Sequence, residues 1–133
     1  MTEIRKVGVV GAGQMGSGIA HVVALGGHEV VLHDVSEERV EAGLATINGN
    51  LAKQIQKGVI AEGDRQAALT RIQGSAAMEA LADCDLVIEA ATENEDVKKR
   101  IYGALCKVLK PEGVIATNTS SISITRLASA TDR

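Results

Sequence analysis

Residues 7–16 read V-G-V-V-G-A-G-Q-M-G, an apolar run that leads directly into a G-x-G-x-x-G pattern. The apolar run predicts a short strand over residues 6–10, and the residues that follow predict a helix over 14–25. In that context Gly11 can make a tight turn, Gly13 can let a pyrophosphate approach the backbone, and Gly16 can allow the helix to pack closely on the strand. The first helical turn, with Gln14 and Met15, would present its amides to the anion. The segment therefore predicts a phosphate-binding turn for a dinucleotide.

A second strand-like run, E-V-V-L-H-D at residues 29–34, ends on Asp34. A carboxylate there can accept hydrogen bonds from the ribose diol of an adenosine. It would also repel the 2′-phosphate of NADP, by roughly 4 kcal/mol for unit charges 4 Å apart at an effective dielectric of 20. Arg39 could offset that repulsion, but its position on the next helix favours a solvated face. We therefore predict NAD as the cofactor; the alternative is a purely structural turn followed by a solvated Asp34.

The rest of the chain alternates predicted helices and strands. Ser36 is the expected N-cap of a long amphipathic helix that ends at Gly58. The other predicted elements are helices over 62–69, 94–109 and 122–130, and strands over 71–74, 85–90 and 113–118. This order predicts a doubly wound parallel α/β sheet of the Rossmann type, in one domain over residues 1–133. Ligands should bind beyond the carboxyl ends of the strands, where the strand order reverses.

The first predicted helix has its apolar residues on one side, namely Met15, Ile19, Val22 and Val23. The uncharged stretch around this helix is interrupted by glycines and polar residues, so neither a membrane span nor a signal peptide is expected.

The composition excludes several classes of function. The chain has a net charge of −3 and one aromatic residue, Tyr102, so it offers neither a cationic field nor a stacking platform for nucleic acid. Its two cysteines, Cys84 and Cys106, lack disulfide-scaffold or metal-site spacing. Reduced thiols, a cytoplasmic location and the absence of a metal are expected.

Two further predicted strand ends carry polar residues, in I-E-A-A-T-E-N at residues 88–94 and T-N-T-S-S-I-S-I-T at residues 117–125. Helix capping by Asn94, and by Ser121 or Ser123, is one reading of these residues. Together with V-G-A-G-Q-M-G-S-G-I-A at 10–20 and K-x-x-x-K-G at 53–58, however, the chain resembles the N-terminal domain of the 3-hydroxyacyl-CoA dehydrogenases. The resemblance covers essentially the whole chain, and it is closest to the bacterial members that act on 3-hydroxybutyryl-CoA.

The resemblance implies roles for particular residues. NAD would lie across the glycine turn and Asp34, and the further cofactor-binding residues would be Glu93 and Lys98 on the nicotinamide ribose side, and Asn118. Ser120 would hydrogen-bond the 3-oxygen of an acyl-CoA substrate. The helical pair over residues 36–69 would be the family's arm beside CoA, with Lys57 and Lys53 suited to its phosphates. A solvated stripe of lysines with i, i+4 spacing is an equal alternative for these two residues.

The family's general base is a His in an H-F-x-N-P segment, and no such segment occurs in the 133 residues. His21, His28 and His33 all precede the N-T-S-S strand and are expected to be packed or surface residues. The family's C-terminal helical domain is also absent from this sequence.

The expected function is the NAD-binding domain of an oxidoreductase that interconverts 3-hydroxyacyl-CoA and 3-ketoacyl-CoA. The 133-residue chain alone is expected to be inactive and to form homo-oligomers. The alternatives are a non-catalytic NAD-binding module or another NAD-dependent 3-hydroxyacid dehydrogenase, of the hydroxyisobutyrate or 6-phosphogluconate group.

Overall fold

Five parallel strands form one sheet with α-helices on both faces, in a computed structural model that describes residues 4–90 and 94–117. In chain order the elements are β1 (Lys6–Val10), α1 (Gln14–Leu25), β2 (Glu29–His33), α2 (Glu37–Gln56), α3 (Glu62–Arg71), β3 (Ile72–Ser75), a short 3₁₀ helix (Met78–Leu81), β4 (Leu86–Glu89), α4 (Glu95–Val108) and β5 (Val114–Thr117). No helix within these two described ranges is long and apolar enough to cross a membrane.

The strands lie in the order β3-β2-β1-β4-β5. The chain builds outward from β1 to β3 and then returns to the other side of β1, so the strand order reverses between β1 and β4. Val10, the last residue of β1, pairs with His33 on one side and with Glu89 on the other. These three strands therefore end level, and the residues that follow them share one edge. The prediction of a doubly wound Rossmann-type sheet is confirmed.

Alternation along the strands divides the core between the two faces of the sheet. Val7 and Val9 of β1 point to the face covered by α1, α2 and α3, whereas Val10 points to the face covered by α4 and the 3₁₀ helix. The buried helical residues on the first face are Ala20, Ala24, Ile47, Leu51 and Ala68, and those on the second include Leu81 and Leu105. The glycine turn that follows β1 thus rests on two packed layers.

The apolar side of α1 is only partly buried, since Ile19 and Val23 pack against the core and the other two residues do not. Met15 is 55% exposed and Val22 is 69% exposed. The buried residues of α1 are instead small or polar: Gly16, Ser17, Ala20, His21 and Ala24. A Cβ on Gly16 would lie 1.7 Å from the carbonyl oxygen of Gly11, so the approach of α1 to β1 demands small side chains. Close backbone packing, rather than apolar size, selects the buried face of this helix.

The helix boundaries follow local capping chemistry. The Ser36 hydroxyl accepts a hydrogen bond from the Arg39 amide at 3.2 Å, and the Asn94 side chain accepts one from the Val97 amide at 3.0 Å. The cap reading of Asn94 is therefore confirmed. Past α2, Gly58 adopts a left-handed φ of 73°, which favours glycine. The strand β1 and the helix α1 have the predicted bounds, the other described boundaries differ by at most two residues, and the predicted helix over 122–130 lies outside the described residues.

At the opposite edge of the sheet, Asp85 joins the amino ends of β1 and β4. Its carboxylate accepts hydrogen bonds from the ammonium of Lys110 at 2.5 Å and from the amides of Arg5 and Lys6 at 2.8 and 3.0 Å. These donors, the Lys110 ammonium above all, hold the pKa of Asp85 well below its usual range. Asp85 thus links β1 to β4 at the end of the sheet that lies away from the glycine turn.

Both cysteines are free thiols. Cys84 is buried on the second face of the sheet, and this burial raises the pKa of its thiol to about 11. A thiol with so high a pKa is a packing group and not a nucleophile.

Candidate functional site

The glycine turn between β1 and α1 has the geometry that its sequence predicts. Gly11 has a φ of 111°, which L side chains rarely adopt, and its amide donates to the carbonyl of His33 at 2.7 Å. A Cβ on Gly13 would meet nothing within 4 Å, whereas one on Gly16 would collide with Gly11. Gly11 therefore makes the turn, Gly13 leaves open space above the backbone, and Gly16 seats the helix.

The amino end of α1 faces this open space. Gly13 is the N-cap residue of α1, and it provides no side-chain hydrogen bond to the first amides of the helix. The first turn also carries no acidic residue, and Gln14 and Met15 within it are exposed. The positive end of the helix dipole is thus presented to an anion, and no carboxylate of the helix's own first turn competes for it. A pyrophosphate fits this position.

Asp34 binds the glycine turn from the neighbouring strand. Its Oδ2 accepts a hydrogen bond from the Ala12 amide at 2.8 Å, and its Oδ1 accepts one from the Val35 amide at 2.6 Å. A carboxylate has about four acceptor positions, so these two bonds leave capacity for further donors such as a ribose diol. The side chain is only 13% exposed, which strengthens its interaction with any ligand at this edge.

A pocket of about 350 Å³ opens beside these groups. It lies where the strand order reverses, and its lining residues are Gly11, Ala12, Gly13, Asp34, Arg39, Ala42 and Ala90. Gly11, Asp34 and Ala90 each follow the last residue of a strand, and the Ala90 amide donates to the Val10 carbonyl at 2.8 Å. The pocket lies at the carboxyl edge of the sheet, where the sequence predicts the site, and the binding of a ligand there stays a prediction.

Arg39 was predicted to lie on a solvated face, and that interpretation is incomplete. Its guanidinium is 69% exposed, yet Nη1 lies 3.8 Å from Oδ1 of Asp34 and the side chain lines the pocket. The first turn of α2 begins at the same sheet edge where β2 ends, so its residues stay beside Asp34. The signal in the sequence was the short distance from Asp34 to the N-cap, Ser36.

Two residues that sequence reasoning did not single out hold the glycine turn from behind. The Ser17 hydroxyl donates to the Ala12 carbonyl at 3.0 Å. A Cβ on Gly43 would lie 2.9 Å from both the Cβ and the carbonyl oxygen of Ala12, so α2 lies directly against the turn. The turn is therefore packed between α1 and α2 as well as bonded to Asp34.

A buried ion pair joins the last residue of β4 to α4. The Lys98 ammonium donates to Oε1 of Glu89, and the two side chains are 1% and 0% exposed. Sequence reasoning placed Lys98 near the nicotinamide ribose but did not predict the pairing with Glu89. The role of Lys98 toward a cofactor stays a prediction, and the described contact is the one with Glu89.

None of the three histidines is among the described residues that line the pocket. His21 Nε2 is 2.7 Å from Oε1 of Gln54, and His33 Nδ1 is 3.0 Å from the carbonyl oxygen of Ser75. Both are buried, whereas His28 is half-buried in the turn before β2. The prediction that His21 and His33 are packed residues is thus confirmed.

The remaining predicted site residues divide into two groups. Lys53 lies in the last turn of α2 and Lys57 at its C-cap, and both are exposed. Glu93, Asn118 and Ser120 lie outside the described residues, as do the proposed caps Ser121 and Ser123.

The reversal of strand order, the glycine turn and the acid at the end of β2 define a Rossmann-type dinucleotide-binding domain. Comparison with known families narrows this class. Residues 6–133 match the family described as 3-hydroxyacyl-CoA dehydrogenase, NAD binding domain, and the chain belongs to this family.

Known proteins similar to the chain carry related names. A 3-hydroxybutyryl-CoA dehydrogenase of Bradyrhizobium diazoefficiens is 62% identical over 130 residues, which are 98% of this chain and 44% of that protein. A 3-hydroxyadipyl-CoA dehydrogenase of Escherichia coli is 40% identical over 96% of this chain and 27% of its own length. The crystal structure of (S)-3-hydroxybutyryl-CoA dehydrogenase from Ralstonia eutropha superposes with a TM-score of 0.96, at 46% identity, over 98% of this chain and 46% of that one. The chain therefore spans less than half the length of these relatives.

Proposed function

We propose that this chain is the cofactor-binding part of an oxidoreductase that interconverts 3-hydroxyacyl-CoA and 3-ketoacyl-CoA, with 3-hydroxybutyryl-CoA as the expected substrate. The observation that carries the proposal is the pocket at the reversal of strand order, in which Asp34 is bonded to the glycine turn. The 62% identical relative named 3-hydroxybutyryl-CoA dehydrogenase supports the choice of substrate.

NAD, when bound, supplies the hydride acceptor of such a reaction. The residues of this chain bind and orient it. Amides at the start of α1 would hold the pyrophosphate over Gly13, and Asp34 would accept hydrogen bonds from the adenosine ribose. Under this proposal Glu93 and Lys98 serve the nicotinamide ribose side, and Asn118 is a further cofactor-binding residue. The resemblance to the family is what supports these three assignments.

The CoA moiety would lie along α2. A second open pocket, of about 460 Å³, runs from the glycine turn to this helix and is lined by Ala12, Gly13, Gln14, Ala42, Thr46 and Asn50. Steps of three or four residues lead from Asn50 to Lys53 and on to Lys57, so the two ammonium groups continue the same side of the helix. This groove with cations at its far end supports the assignment of Lys57 and Lys53 to CoA phosphates.

Proton transfer needs a base that the pocket described above does not supply. Its lining includes no histidine among the described residues, and Ser120, the residue proposed for the 3-oxygen, cannot itself act as the base. We therefore propose that the 133-residue polypeptide alone binds NAD but turns over acyl-CoA at least about a hundredfold more slowly than an enzyme with a positioned base. Such a base contributes roughly 10²- to 10⁴-fold to the rate.

The cellular setting belongs to the same proposal. A cytoplasmic location is supported by the two free thiols. Self-association is proposed as well, and the resemblance to the family is what supports it.

The test compares the 133-residue chain with a chimera that joins it to the region of the Bradyrhizobium relative beyond the match. Oxidation of NADH by acetoacetyl-CoA is expected in the chimera, and the chain alone should bind NADH but react at least about a hundredfold more slowly. Ser120→Ala in the chimera should lower turnover far more than NADH affinity. Lys57→Ala should raise the KM for acetoacetyl-CoA, whereas Lys107→Ala, at an exposed position of α4, should not. Equal rates for the chain and the chimera would contradict the proposal, and a chimera that binds NADH without turnover would favour the non-catalytic module.

A further inference from the structure

Arg39 and Asp34 place opposite charges side by side in the pocket at the end of β2. The guanidinium Nη1 lies 3.8 Å from Oδ1 of Asp34, beyond hydrogen-bond distance. Asp34 is instead bonded to the amides of Ala12 and Val35. The guanidinium is thus close enough to act on a ligand that Asp34 contacts, and it is not held by a direct hydrogen bond to that carboxylate.

These two side chains have opposite effects on a phosphate at the 2′ position of an adenosine ribose. The carboxylate repels it, whereas a guanidinium in this part of a dinucleotide-binding fold can accommodate it. Asp34 is 13% exposed and Arg39 is 69% exposed, so solvent screens the attraction more than the repulsion. The balance favours NAD without excluding NADP.

We propose that Arg39 is a specificity-determining residue that admits a 2′-phosphate to this pocket, so that the protein binds NADP measurably, though more weakly than NAD. The inference rests on the proposed function, in that the adenosine ribose of the cofactor lies at Asp34. It assigns to Arg39 a role in the choice between the two cofactors and none in hydride transfer.

The experiment is calorimetric titration of the 133-residue chain with NAD⁺ and with NADP⁺, at low and at high salt. Arg39→Ala should raise the Kd for NADP⁺ by roughly two- to fivefold, the upper part of the range expected for one exposed charge pair, and leave the Kd for NAD⁺ within about twofold. High salt should shrink the effect. Arg39→Lys should keep part of the NADP⁺ affinity. Arg100→Ala, which removes an exposed arginine from α4, is the matched control and should change neither Kd.

A second pair of probes isolates the phosphate from the rest of the cofactor. Adenosine 2′,5′-bisphosphate should lose affinity for Arg39→Ala by the same factor as NADP⁺, and AMP should not. Three results would overturn the inference. Equal losses of affinity for both cofactors would mean that Arg39 contacts adenine or ribose. The other two are no loss of NADP⁺ affinity in Arg39→Ala and no detectable NADP⁺ binding by the wild type. Failure of the wild type to bind NAD⁺ is a different result, because it would reject the proposed function itself.

Discussion

The backbone amide of Ala12 donates a 2.8 Å hydrogen bond to the carboxylate of Asp34, across the carboxyl edge of the sheet. This bond links the two halves of the candidate NAD site. The residue expected to contact the adenosine ribose also fixes the turn expected to hold the pyrophosphate. A change at Asp34 should therefore disturb both halves together, and the glycine turn should be sensitive to the packing behind it.

Gly16→Ala should destabilise the protein and weaken NAD binding. The added Cβ would lie 1.7 Å from the carbonyl oxygen of Gly11, a backbone atom, so the turn must move. Overpacking of this kind costs about 1–3 kcal/mol or more in the free energy of unfolding, which chemical denaturation would measure. Gly18→Ala is the matched control in the same helix, because a Cβ there meets nothing within 4 Å. It should stabilise the protein by about 0.5–1 kcal/mol. Equal effects of the two substitutions would refute the packing argument.

Lys98→Met should lower the free energy of unfolding by about 3–5 kcal/mol, because it leaves the Glu89 carboxylate buried without its ammonium partner. The double variant Glu89→Leu/Lys98→Met removes both charges and should recover most of that loss. Lys107→Met, at an exposed position of the same helix, serves as the control and should have little effect. Urea denaturation of the four proteins gives the comparison. A double variant no more stable than Lys98→Met would show that the pair does not interact as described.

Acid stability should depend on Asp85. The Lys110 ammonium and the amides of Arg5 and Lys6 hold the pKa of this carboxyl below its usual range in the folded protein. Since the unfolded pKa is about 4, the resulting stabilisation is complete above about pH 5 and is lost as the pH falls through the folded pKa.

Asp85→Asn should therefore lower stability at neutral pH and flatten the loss of stability between about pH 5 and pH 2. Glu41→Gln, an exposed acid on α2, is the control for a general change in charge. Denaturation measured across this pH range tests the prediction. An acid limb of unchanged slope in Asp85→Asn would mean that other carboxyl groups dominate it.

The sequence predicted those features that are encoded locally. The strand before Gly11, the turn with Gly13 and Gly16, and the strand that ends at Asp34 all follow from short-range pattern, and the structure has them in register. The joint spacing of these glycines and Asp34 is specific because each residue has a different structural role at the turn. The doubly wound parallel sheet followed from the alternation of strand and helix.

The features that sequence reasoning missed depend on distances across the fold. The large apolar residues Met15 and Val22 are exposed because α1 approaches β1 too closely for them, and periodicity does not report that distance. The pairing of Glu89 with Lys98 joins a strand end to a helix, so it has no helical or strand spacing to reveal it. The position of Arg39 on the helix after Asp34 favoured a solvated face, but the start of that helix lies beside Asp34.

Calorimetric titration with NAD⁺ and NADP⁺ tests most directly the claim that this chain is an NAD-binding domain that selects its cofactor through Asp34. The wild type should bind NAD⁺ more tightly than NADP⁺. Asp34→Ala should weaken NAD⁺ binding by roughly tenfold or more, the loss expected for hydrogen bonds to a charged group, and should abolish the preference. Glu37→Ala, an exposed acid in the first turn of α2, should leave both affinities close to those of the wild type. Equal affinities for the two cofactors in the wild type, or a preference that survives in Asp34→Ala, would contradict the account.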